Sequence, residues 1–327
     1  MLDRLRLSPL LLLLAACDPT TPAAGPKWSV ALSDLEGALF SIWGTAPDDV
    51  WTVGSDPGEG PLVLHWDGAQ WERISTGMSG DLWWVHAGPE RVWMSGDGGM
   101  VLRHDRASGT TERVATPTDF LMFGVYEIAP DEVWAVGGDP GQRAGVVLRL
   151  EGDAFAEVEV PAEASEVSFF KVWGATRDDV WIVGHGGLAL HWDGQAFSAR
   201  DVPLGRPLLT VHGLGSDIVA VGGFGTGLVT HVENGSLVDV TPPAAPQMNG
   251  VFVTPNGAWA AGTQGSIMER NDDGWQLRDD TPRIAQDYHA VYVDRDGGVW
   301  AVGGDIVAPP YRRGILTVLG RDEVTGD

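Results

Sequence analysis

One seven-residue phrase recurs along the chain. It reads DDVWTVG around Trp51, ERVWMSG around Trp93, DEVWAVG around Trp134, DDVWIVG around Trp181, SDIVAVG around Val219, NGAWAAG around Trp259 and GGVWAVG around Trp300. The steps between the central residues are 42, 41, 47, 38, 40 and 41. Two longer versions, SIWGTAPDDVWTVG at 41–54 and KVWGATRDDVWIVG at 171–184, agree at eight of fourteen positions. A unit of this size cannot bury a core alone, so neighbouring copies must stack. A period of about 40–45 residues marks a four-stranded propeller blade.

The grammar inside one copy supports that reading. In the first copy, 39–44 is a strand and APDD is a type I turn. Residues 50–54 and 62–66 are the second and third strands. Asp67-Gly68 is a favoured hairpin pair, and 70–74 is the fourth strand. Aligned first strands give a ring column of Trp43, His86, Tyr126, Trp173, His212, Phe252 and Tyr292 beside an aliphatic column that starts at Ile42 and Val85. Successive strand residues face opposite ways, so blades are expected to mesh ring against aliphatic around a circle. Trp28, Trp71, Phe155, Phe197, Leu237 and Trp275 form a similar fourth-strand column, while Trp83 and Trp84 fit none. The last copy supplies only three strands. The stretch KWSVAL, from Lys27 to Leu32, reads as a fourth strand without its preceding three. It is therefore expected to complete the seventh blade and remove its open edge. The expected fold is an all-β, seven-bladed β-propeller with four-stranded blades, one domain over 28–327.

Composition adds exclusions and an address. Glycine (45) and proline (21) favour tight turns, and a formal net charge of −24 argues against nucleic acid as a partner. At the N-terminus, Arg4 and Arg6 precede an apolar run too short to span a bilayer. The following LAAC resembles the lipobox of bacterial lipoproteins. That resemblance implies a signal peptide over 1–16 and lipid acylation, palmitate included, at Cys17, the only cysteine in the chain. The proline-rich 17–27 reads as a tether. The protein would then face the periplasm or the cell surface from the bacterial cell envelope, held at the bilayer through Cys17. Inner and outer membrane stay open, and a monomer is expected.

The pattern W-G-x-x-x-D-D-V-W-x-V-G…L-H-W-D-G-x-x-W resembles the seven-bladed lipoprotein propellers of the sialidase-repeat-like, WD40/YVTN-like and photosystem-assembly-factor-like superfamily. HWDGAQW at 65–71 and HWDGQAF at 191–197 are similar to the Asp-box of sialidase blades, with the spacing changed by one and the serine absent. The resemblance implies either a binding scaffold or an enzyme, since the fold hosts both.

No catalytic residues are expected. A sialidase-like site needs three clustered arginines and a tyrosine nucleophile; here the arginines show no spaced trio, and Tyr126 and Tyr292 belong to the ring column. No G-x-S-x-G elbow occurs. A glycan-active hydrolase or lyase is the alternative to a non-catalytic protein-interaction or ligand-binding module. His65, His191 and His231 share a third-strand column with Arg103, Arg149 and Glu269, which reads as a hydrogen-bonded strand face and not a metal site. DRDGG at 294–298 sits at a turn position, and DPGEGP at 56–61 leaves calcium open; no other cofactor is expected.

Loops joining second to third strands share a propeller face with loops between blades, and here they vary most. A regular scaffold with one irregular face is how binding surfaces are built. The candidate contacts are Asp56, Glu59, Trp83, Asp139, Arg143, His185, Asp305, Tyr311, Arg312 and Arg313. Tyr311, Arg312 and Arg313 in PPYRRG stand out, because tyrosine and arginine are common interface anchors. The expected partner is an envelope protein or a glycan.

Overall fold

A computed structural model describes residues 25–139, 141, 143–321 and 324. The signal segment 1–16, Cys17 and the tether to residue 24 lie outside the described residues. Seven antiparallel sheets of four strands stand in a ring. Blades 1 to 6 span 39–73, 82–114, 121–157, 169–201, 208–239 and 248–277. Blade 7 is built from Asp287–Val293, Val299–Asp305 and Arg312–Leu319, and its outer strand is Trp28–Leu35. Trp28 pairs with Leu319, Val30 with Thr317 and Leu35 with Gly314. The N-terminal strand closes the ring as expected and continues three residues further. Helix among the described residues amounts to three short 3-10 turns.

The blades are wedged together by a repeated ring contact. A fourth-strand aromatic meets, edge to face, the second-strand tryptophan of the preceding blade. Phe155 meets Trp93 at 6.1 Å and 83°, and Phe197 meets Trp134 at 5.6 Å and 83°. Trp28 meets Trp259 at 6.2 Å, and Trp71 meets Trp300 at 6.3 Å. Such crossings place a ring's positive edge on its partner's negative face.

The first-strand rings behave differently from the expectation. They do not mesh between blades but converge on the axis. The Trp43 ring lies 4.8 Å from His86, 5.9 Å from Tyr126, 5.5 Å from His212 and 5.5 Å from Phe252, which belong to blades 2, 3, 5 and 6. Only groups meeting at the centre can be shared that widely. The first strand is the innermost, so its inward side chains face the channel and fill it. Burial pushes His86 and His212 down to about 3, so both imidazoles are neutral. Each Nδ1 accepts a backbone N–H from the following blade, of Glu127 and Val253 respectively.

The acidic residue of the repeated phrase ties the opposite ends of the strands. Asp49 accepts hydrogen bonds from Trp51 Nε1 at 3.0 Å, from His65 Nε2 at 2.9 Å, and from both terminal nitrogens of Arg106 in blade 2 at 2.8 and 2.9 Å. Asp179 holds Trp181 and His191 in the same way. The third-strand polar column is thus a hydrogen-bonded strand face. Burial raises the Asp49 carboxyl, but the bonds from His65, Arg106 and Thr45 outweigh it and hold the group far below the usual carboxylate range. A depressed folded-state value means stability that is complete above about pH 4 and is lost as pH falls below it. Asp49→Asn is expected to cost about 2–3 kcal/mol at pH 7, the scale of hydrogen bonds to a charged group. In urea unfolding the deficit should shrink at pH 3; an equal deficit at both pH values would remove this account of the phrase.

Candidate functional site: an aromatic cup at the channel mouth

Each blade carries a β-bulge at the same place near the start of its first strand. The extra residues are Phe40, Trp83, Phe123, Phe170, Leu209, Asn249 and His289. A bulge re-aims side chains, and these seven are turned toward the axis above the ring plug. Phe40 stacks on Trp83 at 4.3 Å and 1°, Trp83 meets Phe123 at 5.8 Å, and Phe123 meets Phe170 at 5.2 Å. Trp83 of blade 2 also comes within 6.1 Å of His289 of blade 7.

Six of the seven line a cavity of about 380 Å³ that opens on the face of the variable loops. Its rim includes Phe224 and Val307, which are 87% and 85% exposed. Large apolar side chains left that bare, around a concave apolar surface, suit a binding site better than a solvated loop. Plugged below by Trp43 and its neighbours, the cavity is a cup.

Polar side chains enter the cup from Lys171, Gln247, Asn249, Thr263, Asp287 and His289. The His289 imidazole donates from Nδ1 to the Phe40 carbonyl oxygen; burial pushes it down to about 3, leaving Nε2 free to accept. Asn249 donates to the Tyr288 carbonyl at 2.7 Å and accepts from Gln247 at 3.0 Å. Lys171 is the exception. It is 4% exposed, its ammonium donates to the Phe123 carbonyl at 2.7 Å, and it lies 4.4 Å from the Trp84 ring centre. Burial pulls it down to about 7. Gly124 of blade 3 lets the two backbones approach here: a Cβ would stand 2.9 Å from the Phe170 carbonyl oxygen and 3.2 Å from the Lys171 Cα.

A second, polar recess of about 690 Å³ lies on the same face, lined by Asp56, Asp81, Tyr311, Arg312 and Arg313. The loop 306–311 separates it from the cup. Tyr311 bridges the two, its ring 5.2 Å from Phe40 and 5.5 Å from Trp83. Arg313 is held by Asp305 through two hydrogen bonds of 2.6 Å. A chain of carboxylates steps along the wall: Asp81 accepts the Asp56 N–H at 2.8 Å, and Asp97 accepts the N–H of Asp81 at 2.9 Å and of the Trp83 indole at 3.2 Å. Burial raises the Asp81 carboxyl, with Asp97 and Asp56 adding repulsion.

The structure thus gathers Trp83 in the cup and Asp56, Tyr311, Arg312 and Arg313 in the adjoining recess, while Asp305 lines neither and is tied to the recess through Arg313. Glu59 lines a separate one beside Arg73. Asp139, Arg143 and His185 stand on blades 3 and 4; Asp139 accepts the Gly141 N–H at 2.9 Å, and Arg143 and His185 are exposed. Of the carboxylates in 56–61 and 294–298, Asp56 accepts backbone N–H groups of Gly58, Gly60 and Gly80, and Asp294 accepts from Arg321, Trp300 and Gly298. Among the described residues no three His, Cys, Asp or Glu side chains converge as metal ligands would. Phe40, Phe123, Phe170, Lys171, Phe224 and His289 were not anticipated. The collar forms its own column three residues ahead of the rings, and that was the available signal.

A seven-bladed β-propeller with a plugged channel and an aromatic cup is what fold and site together define. No protein-family profile and no curated protein matches the chain. Among solved structures it is similar to YCF48 from Cyanidioschyzon merolae, at 17% identity over 89% of this chain and 98% of that one, with a TM-score of 0.67. It is also similar to streptogramin B lyase, at 13% identity over 90% and 98% with a TM-score of 0.71, and to the RRP9 WD40 repeats, at 10% identity over 90% and 98% with a TM-score of 0.70. YCF48 is also known with a D1 peptide bound. Identities this low establish the shared fold alone.

Proposed function

We propose that the protein is a membrane-anchored, extracytoplasmic propeller that binds an apolar segment of a partner polypeptide in the aromatic cup, without catalysis. The observation that carries this reading is the pair of bare side chains, Phe224 and Val307, standing over a cup lined by the bulge residues. Peptide binding by YCF48, a similar propeller, supports it. Acylated Cys17 would supply the anchor, and the envelope would supply the partner. The alternative, a glycan-active hydrolase or lyase, has the likeness to streptogramin B lyase on its side. Such chemistry calls for carboxylates facing arginines at the channel mouth, whereas the cup lining holds a single carboxylate, Asp287, and no arginine.

The test is purification of the acylated protein from native envelopes. Replacing Phe224 and Val307 together by serine should leave the melting curve unchanged and lower the recovered partner about tenfold, as expected for apolar anchors. Cys17→Ser should move the protein into the soluble fraction with the cup intact. Undiminished partner recovery by the double variant would sink the cup as the docking site.

A further inference from the structure

Lys171 is chemically out of place. The chain holds two lysines, Lys27 and Lys171, against nineteen arginines, and Asp and Glu outnumber all of these cations 45 to 21. Even so, the Lys171 ammonium sits in the cup wall with one protein hydrogen bond among the described residues, to the Phe123 carbonyl. An ammonium has three N–H donors, so two remain unused. A buried charge is ordinarily paired, and the other titratable groups lining the cup do not pair this one. His289 is a neutral imidazole, and the Asp287 carboxylate accepts the Gln264 N–H at 2.7 Å. From blade 2 the uncharged Trp84 ring lies 4.4 Å from the ammonium, and from blade 3 the Phe123 carbonyl accepts from it.

We propose that Lys171 receives the C-terminal carboxylate of a polypeptide whose last residue is apolar and fills the aromatic cup. This rests on the cup being the binding site and names the group it recognises. The anion supplies the missing acceptor for the two free N–H donors, and the collar of Phe123, Phe170, Trp83 and Leu209 encloses the terminal side chain. A chain end fits better than a free small acid. The exposed Phe224 and Val307 carry the apolar surface outward past the cup, where only a longer ligand would meet it.

The charge makes binding depend on pH. The carboxylate is ionised throughout the neutral range, and pairing requires the ammonium. Affinity should be level below about pH 7, where burial places Lys171, and fall about tenfold per pH unit above it.

The experiment uses pools of N-acetylated pentapeptides, randomised over apolar residues at the last three positions, as free acids and as carboxamides. At pH 6 the full-length protein should enrich free acids about 30-fold over amides, the scale of losing one partner of a desolvated charge pair. Lys171→Met should keep its fold, since an apolar side chain of similar length replaces a buried charge that has no ionic partner. It should bind acids and amides alike, with no dependence on pH. Reductive ¹³C-methylation reads the protonation directly, with only Lys27 and the terminal amine alongside. The Lys171 signal should titrate near 7 in the free protein and at least one pH unit higher with the best acid bound. No enrichment of acids over amides would overturn the proposal. If that result came with binding lost on replacing Phe224 and Val307, the cup would stand and only the carboxylate would fall. Binding of 3-phenylpropionate as tight as the best peptide would likewise overturn it, reassigning the cup to a small acid.

Discussion

Trp134→Ala should lower the unfolding free energy by about 3–5 kcal/mol, the cost of emptying a large aromatic site. Trp134 is fully buried, its ring 5.4 Å from Trp192 and 5.6 Å from Phe197 of blade 4, with the Arg149 guanidinium 5.3 Å from its centre. The void would open between two sheets that cannot collapse independently, because each is also held by its other neighbour. Domains are typically stable by about 5–15 kcal/mol, so a single ring is a large share. The measurement is the urea midpoint, compared with Leu277→Ala, which alters an exposed side chain and should change stability by less than about 0.5 kcal/mol. A loss below about 1 kcal/mol for Trp134→Ala would mean that the edge-to-face wedge does not hold the blades.

Removing the strand Trp28–Leu35 should have the larger effect. Blade 7 would lose its outer strand, exposing the N–H and C=O groups of Arg312–Leu319 that now pair with it. Trp28 would also leave the Trp259 face uncovered. A bare edge of this kind pairs with other chains. A chain starting at Leu39 should therefore elute as oligomers or aggregate, and its thermal transition should be lower and broader. A synthetic peptide of residues 27–36, added in trans, should restore part of the monomer. A truncated chain that stays monomeric with an unchanged transition would mean the ring closes without this strand.

Much of the fold could be read in the residues because the repeat multiplies a weak signal. One DDVW phrase is a turn and a strand; seven at near-equal spacing are seven blades. What lies opposite a residue is not encoded in its spacing. Alternation places Trp43 and Ile42 on opposite strand faces, yet says nothing about which face meets the axis. The first-strand rings were accordingly expected between blades and are found plugging the channel.

The candidate site was harder still. Strict alternation aims Phe40, three residues ahead of Trp43, away from the side Trp43 faces. One extra residue in the strand reverses that direction, and the same reversal occurs in every blade. Trp83 stands out in the sequence as the end of the between-blade stretch 79–83, while Phe123 and Phe170 read as ordinary strand residues. Lys171 carried no signal at all, since a lone lysine in a strand is normally solvated. Its ammonium is met by the Phe123 carbonyl of blade 3 and the Trp84 ring of blade 2, which lie 48 and 87 residues away in the chain.

Taken alone, the sequence determined the number of sheets, their strand order and the strand that closes the ring, because these follow from periodicity and from strands that would otherwise lack partners. The tertiary structure alone decided which side chains share the axis, since seven first strands must converge before inward-facing rings can meet. It also decided that a bulge in each blade turns a second ring of side chains into a cup around one buried ammonium, a property of backbone register that residue identities do not carry.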